Sequence, residues 1–397
     1  MKRGRIFRAC GLAALLAAAS AGSARAQDDK QPYPINVILP MTGNAAFVGE
    51  AHQSVLRLVE QLVNDDGGVN GRPLKLTFLD DQTSPQVANQ LASGLLADKP
   101  AVLLGSSIVA MCNAEMALIK NGPFTYCFSP GIHPPDGSYM FSIGVSTHDL
   151  VKTLFHYFKL RGWTRVASIT STDATGQDIE AAFSEALKDP ENQGVQLVER
   201  ARFTVGDISV ASQIAQIKAA DPQVLVAWST GGAIANVFKG VLQAGLNIPV
   251  ATTNGNQANL VMTRFADFLP KELYVPTSVF PEHPATLKLD PRVEAKQAIF
   301  YKAMHKAGLP IDYMAAGVWD TTFMVVDALR KLGDKASAAQ VRDYLASQND
   351  LAGINGIYDF KDVPQRGLDT RNALVTQWDS ATRSWKVVSA PSGVPLP

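Results

Sequence analysis

The sequence is 397 residues long, enough for two domains with ample cores, and 46% of it is hydrophobic. Its 36 lysines and arginines balance 36 aspartates and glutamates, and no basic stripe is available to neutralise phosphates, so nucleic acid is not an expected partner. Beyond the first 26 residues no apolar run is long enough to cross a bilayer.

Lys2, Arg3, Arg5 and Arg8 make a basic head, Gly11 to Ala19 is apolar, and Ala24-Arg25-Ala26 offers small residues before Gln27. This is the pattern of a secretory signal peptide over residues 1–26, cleaved after Ala26; an uncleaved anchor is the other reading, but the apolar stretch is short for one. Cys10 lies too early for a lipid-attachment site. Five basic residues (Lys2, Arg3, Arg5, Arg8 and Arg25) leave with this segment. The mature chain is therefore mildly acidic, and it is expected in the periplasm. Cys112 and Cys127 remain. In an oxidising compartment they either bridge, closing a short loop, or stay as two buried thiols on a helix and a strand. Neither has metal-ligand or CxxC spacing.

The stretch Ile35 to Asp81 reads as strand, loop, helix, loop, strand. Ile35, Val37, Ile38 and Leu39 form a short apolar run that stops at Pro40. Val55, Leu58/Val59 and Leu62/Val63 recur at helical spacing, and Asn64 to Gly68 ends the helix. Leu74 to Leu79 is the return strand. A strand, a crossover helix and a second strand imply a parallel pair, whose ligands sit beyond the carboxyl ends of the strands; Met41 to Gly49 occupies that place. The rhythm continues. Ser84 and Pro85 start a helix, Ala101 to Leu104 is a strand leading to Gly105-Ser106-Ser107 and a helix, and Phe124 to Phe128 is a strand ending in Ser129-Pro130-Gly131-Ile132-His133. A second series follows, with strands Arg165 to Ile169, Val195 to Phe203, Val224 to Trp228 and Pro249 to Thr252, and helices Asp178 to Leu187, Val210 to Ala219 and Ala233 to Ala244. Helices over Arg292 to Ala307, with Val293, Ile299/Phe300 and Met304 inward, Tyr313 to Leu332 and Ser337 to Ala346 come next. The strands Ala373 to Trp378 and Ser384 to Val388 close the chain.

Pro40-Met41-Thr42-Gly43, Gly49, the Asn-x-x-Gly-Gly-Val-Asn-Gly-Arg-Pro run from Asn64 to Pro73 and Asp80-Asp81 closely resemble the opening of type I periplasmic solute-binding proteins of ABC importers, the leucine/isoleucine/valine-binding family. The resemblance extends over nearly the whole mature chain. It implies an α/β fold of two similar doubly wound parallel-sheet lobes joined by a three-crossing hinge. Lobe 1 is expected at 27–145 and 277–362, and lobe 2 at 146–276 and 363–397. It also implies a monomer that closes its lobes on a small-molecule ligand and docks on a membrane permease, with no cofactor. An exported ligand sensor of the same fold, feeding a signalling receptor, is the alternative.

By the same resemblance, Ser106, Ser107, Val109, Gly131 and His133 fall on or near ligand-facing positions, with Phe47 and Val48 in the first mouth loop. His133 departs from the family's usual hydroxyl residue. In amino-acid binders of the family a glutamate after the strand Pro249 to Thr252 meets the ligand's ammonium; this chain has Asn254. Thr175 and the segment Trp228 to Thr230 replace family tyrosines, and Ser146 stands where an acid is expected. An ammonium buried without a partner costs about 3–5 kcal/mol, which brings an aromatic or other small organic acid level with a branched-chain amino acid as ligand; Asp173 remains able to supply the negative charge. Trp319 resembles the family's aromatic near the cleft, or else packs on the sheet. For an enzyme, there is no Gly-x-Ser-x-Gly elbow, phosphate loop or His-Glu-x-x-His pair, the six histidines lack ligand spacing, and Asp80-Asp81 read as structural.

Overall fold

The computed structural model describes Gln31–Leu396; the signal-peptide reading and Cys10 lie outside the described residues. The first sheet is built from β1 (Tyr33–Leu39), β2 (Leu74–Asp80), β3 (Val102–Gly105), β4 (Phe124–Cys127) and β5 (Met140–Ser142). They lie in the order β2-β1-β3-β4-β5, all parallel. Their crossovers are α1 (Ala46–Asp65), α2 (Pro85–Leu96) and α3 (Val109–Met116). The chain then passes through α4 (Thr147–Leu160) into β6 (Arg165–Ser171), α5 (Ala174–Ala186), β7 (Gln196–Phe203), α6 (Ala211–Ala219), β8 (Val224–Trp228), α7 (Ile234–Gln243), β9 (Val250–Thr252), α8 (Asn259–Arg264) and β10 (Leu273–Ser278). Next come α9 (Pro291–Ala307), α10 (Tyr313–Leu332), α11 (Ala338–Ala346), the small hairpin β11 (Leu351–Gly353) and β12 (Gly356–Tyr358), then β13 (Ala373–Asp379) and β14 (Ser384–Val387). The second sheet has the order β14-β13-β10-β9-β8-β6-β7, parallel except where β13 meets β10 and β14. Among the described residues no helix is long and apolar enough to cross a membrane.

Local chemistry explains the elements. In α1, Val55, Leu56, Val59 and Val63 share the buried face, and Gly49 lets the helix start against the Pro40 carbonyl, where a Cβ would collide. Ser84 caps α2 by accepting from the Val87 N–H, with Pro85 in the first position. In α9, Val293, Phe300 and Met304 are buried while Ile299 is exposed, because neighbouring residues point about 100° apart and the buried stripe of this helix is narrow. β10 remains in the second sheet to Ser278, so the chain turns back only after the boundary expected at 276. There α10 packs on α1 and α11 lies against β4, so these two late helices add to the first lobe before β13 and β14 rejoin the second sheet. The chain thus passes between the sheets three times, and two such packed, crossed-over lobes are what alternating strands and helices produce.

Asp80 and Asp81 are used structurally. Asp80 accepts from the Met41 and Thr42 N–H groups and the Thr42 hydroxyl, which pins the first mouth loop to the end of β2. Burial pushes its carboxyl up, but the Thr42 hydroxyl and the Gln82, Thr42 and Met41 N–H groups outweigh this and hold it below its usual value.

Cys112 and Cys127 form a disulfide that ties α3 to the end of β4. Both elements open into cleft loops, so the bridge holds two of them in fixed relation. Closing a loop of 15 residues contributes about 3 kcal/mol. Reduction, or a Cys112→Ser/Cys127→Ser double variant, is expected to lower urea-unfolding stability by about that amount; an unchanged midpoint and slope would contradict it.

Candidate ligand-binding site

A narrow cavity lies where the carboxyl ends of both sheets face each other. The first lobe contributes Val48 and His52 of α1, Ser107, Ile108 and Val109 at the start of α3, and Phe128 to Gly131 after β4. From the second come Thr147 of α4, Thr175 and Asp178 of α5, Trp228 and Thr230 after β8, and Thr253 and Gly255 after β9. Tyr313 and Met314 at the start of α10 complete the wall. The lobes also touch outside it: the Gly232 N–H donates to the Asn44 carbonyl at 3.4 Å, and His133 Nε2 meets Asp178 Oδ1 at 2.6 Å.

The lining is mainly apolar and hydroxylic. Val48, Ile108, Phe128, Trp228, Tyr313 and Met314 give the apolar surface, and no lysine or arginine is among the walls. His52 is fully buried against the edge of the Phe128 ring, and burial pushes its imidazole down to about 3, so it is neutral. Its Nδ1 lies 2.7 Å from Ser107 Oγ, while its Nε2 has no partner. With the proton on Nδ1, the imidazole donates to Ser107 and leaves the serine's own hydroxyl proton free to donate to a solute. The first turn of α3 has no side-chain cap, so its backbone N–H groups add donors to the same wall.

The one carboxylate in the wall, Asp178, is already engaged. Burial pushes it up, but hydrogen bonds from His133, His148 and Thr147 outweigh that and hold it below its usual value. His148 is correspondingly raised, first by Asp178, against burial and with help from Glu185. Gly131 makes this approach possible, because a Cβ there would lie 2.8 Å from Asp178 Oδ2 and 2.9 Å from Val109 Cγ2.

Of the residues singled out in the sequence, Val48, Ser107, Val109, Gly131, Thr175, Trp228 and Thr230 meet in this cavity. The others do not line it. Phe47 is buried in the core beside them. Ser106 is turned inward: its hydroxyl donates to Asp81 and its N–H to the buried Glu115 carboxyl. Ser146 caps α4 by accepting from the Asp149 N–H and donating to Asp149 Oδ2. Asp173 likewise caps α5 through the Gly176 N–H. Asn254 is buried between two wall residues, with its Nδ2 unpartnered. His133 stands on the rim, and Trp319 packs on Phe300 and Phe323, away from the cavity. The aromatic of α10 that faces the solute space is Tyr313, six residues earlier. Sequence reasoning missed His52, Asp178 and Tyr313. Asp178 lies three residues beyond Thr175 on α5, and that same-face helical spacing was the signal available.

A family model described as periplasmic binding protein matches residues 32–383. The chain belongs to the periplasmic binding protein family. Solved members with the same fold include a type 1 periplasmic binding protein from Bordetella pertussis, at 19% identity over 90% of this chain and 99% of that one, with a TM-score of 0.75. The branched-chain amino acid transporter substrate-binding protein LivJ of Streptococcus pneumoniae, in complex with isoleucine, is 18% identical over 90% and 99%, with a TM-score of 0.73. An ABC transporter solute-binding protein of Rhodopseudomonas palustris, in complex with benzoate, is 17% identical over 92% and 97%, with a TM-score of 0.75. No curated protein matches the chain significantly. At these identities the likeness to solved structures carries the fold alone. Membership of the family implies a binding role outside the cytoplasm.

The groups facing His148 are Asp178, Glu185 and the His133 ring, whose centroid is 4.4 Å away. With His148 raised above 6.5 and Asp178 held below 3.8, their joint contribution is full between those two values. It is lost as pH rises through the raised His148 value, and separately as pH falls through the lowered Asp178 value. In chelator-containing buffer, melting temperature is therefore expected to fall as pH rises above about 6.5, and His148→Gln should flatten that fall. An identical slope in the variant would contradict the assignment.

Proposed function

We propose that the protein is the extracytoplasmic solute-binding component of an ABC importer, and that it closes on a small carboxylate-bearing solute with an aromatic or apolar body and no ammonium group. The observation that carries this reading is the state of Asp178. Among the described residues it is the only carboxylate in the cavity wall, and His133 and His148 already face it at 2.6 and 3.5 Å. An ammonium placed there would have to displace those partners.

What the wall offers a solute supports the rest. Ser107, Ser129, Thr147, Thr175, Thr230 and Thr253 bring hydroxyls, and the uncapped start of α3 brings backbone N–H groups; together these suit a carboxylate. Phe128, Trp228 and Tyr313 offer faces and edges for a ring or branched chain. Binding free energy that bridges the two sets of loops favours the closed arrangement of the lobes, and the closed form docks on the membrane permease. A second reading has one specific observation behind it: Asp178 does line the cavity. In that reading a branched-chain amino acid places its ammonium on Asp178, as a relative solved with isoleucine invites.

A thermal-shift panel on the mature protein separates the two. A ligand at 100 times its dissociation constant stabilises by about 2.7 kcal/mol. Aromatic and short aliphatic carboxylates are expected to raise the melting temperature, while leucine, isoleucine, valine and the matching primary amides leave it in place. If the amino acids shift it and the acids do not, the ammonium-free reading is overturned.

A further inference from the structure

On the rim of the cleft, three side chains from separate elements converge. His133 comes from the loop after β4, His148 from the first turn of α4 and Asp178 from α5. One donor atom of each lies within 4.8 Å of both others. His133 Nε2 is 2.6 Å and His148 Nε2 3.5 Å from the same oxygen, Asp178 Oδ1. We propose that His133, His148 and Asp178 bind a divalent transition-metal ion that clips the two lobes together.

The donor set decides the class of ion. Two imidazole nitrogens and a carboxylate suit zinc and its first-row neighbours, whereas magnesium and calcium select oxygen ligands. Three protein ligands leave a position for water, as in open zinc sites. Tetrahedral donors at ~2.0–2.1 Å from zinc sit roughly 3.3–3.5 Å from one another, so small side-chain rotations bring this cluster to that size.

The surroundings of His148 are those of a metal ligand. Its Nδ1 lies 2.8 Å from Glu185 Oε2, and its buried Nε2, which faces Asp178, has no hydrogen bond of good geometry. In the neutral ring a carboxylate on one nitrogen holds the proton there and leaves a lone pair on the other, which is how outer carboxylates orient metal-bound histidines. Asp178 is mostly buried beside Thr147, so its oxygen is held in place.

The arrangement has a mechanical consequence. His148 and Asp178 belong to the second lobe, whereas His133, half-exposed, is the one ligand from the first. A complete coordination shell exists only when the lobes are together. Because Asp178 also forms part of the cavity wall, metal and solute both favour closure, and each should tighten the other's binding by the same factor.

The test uses the tag-free mature protein, stripped with EDTA and free of any organic solute. Titration with zinc, followed calorimetrically, and with cobalt, followed by visible d–d absorption, is expected to show one saturable equivalent. His133→Ala and His148→Ala should each weaken it about tenfold or more, while His305→Ala, remote and exposed, leaves it unchanged. Small-angle scattering should show zinc compacting the wild-type chain but not His133→Ala, a rim-loop variant whose circular dichroism confirms its fold. No saturable binding in the wild type, or zinc affinity and compaction that survive His133→Ala, would overturn the proposal. Since no solute is present, neither result depends on which ligand the cleft takes.

Discussion

A single buried cation fixes the geometry on which the cleft depends. Arg366 sits in the third passage of the chain between lobes, and its guanidinium donates to the carbonyls of Ile132, Ile143 and Gly144. The neighbouring Gln365 carbonyl accepts from the Ser142 N–H. Burial pulls the guanidinium below its usual value, while the fields of Asp149, Tyr313, Asp178 and Tyr126 act the other way. A planar fork of donors suits several fixed carbonyls at once, and leaving such a buried group unsatisfied is costly. The first and third passages are therefore stapled together on the first lobe's side, where Ile132 of the loop after β4 is held as well. What remains to move is the second lobe, with Asp178, relative to this seam.

The electrostatic character of the cavity follows from where the acids are used up. Asp81 receives the Ser106 hydroxyl, Glu115 the Ser106 N–H, and Asp173 the start of α5. Each sits within a few residues of the wall and each is spent on holding backbone in place. Asp178 alone reaches the solute space, already opposite two histidines. His52 is kept neutral by burial. The result is a cavity with no free charge of either sign, in which hydroxyls and helix-start N–H groups do the polar work.

Much of the fold was legible because its signals are local. Ser84-Pro85 announces α2, and Ser337 announces α11 with a capping box to Gln340. The apolar run before Pro40 and the helical spacing from Val55 to Val63 give β1 and α1. α4 also carries a local signal, since Ser146 and Asp149 stand at capping-box spacing, but a reading of Ser146 as a ligand position hides it. The cavity was legible only where a residue follows directly on a strand end, as Ser107 and Trp228 do. His52, Asp178 and Tyr313 reach it from within or at the start of helices; their facing depends on how helix and sheet pack, which no local pattern specifies. Trp319 shows the same limit, since a large aromatic on α10 suits a core as well as a cleft.

The most direct test of the central claim is a crystal structure of the mature protein with a tightly bound aromatic acid. The account predicts a carboxylate within hydrogen-bond distance of Ser107, with the ring against Trp228 and with Asp178 still on His133 and His148. A solute ammonium group on Asp178, or density for the acid outside the cavity, would contradict it.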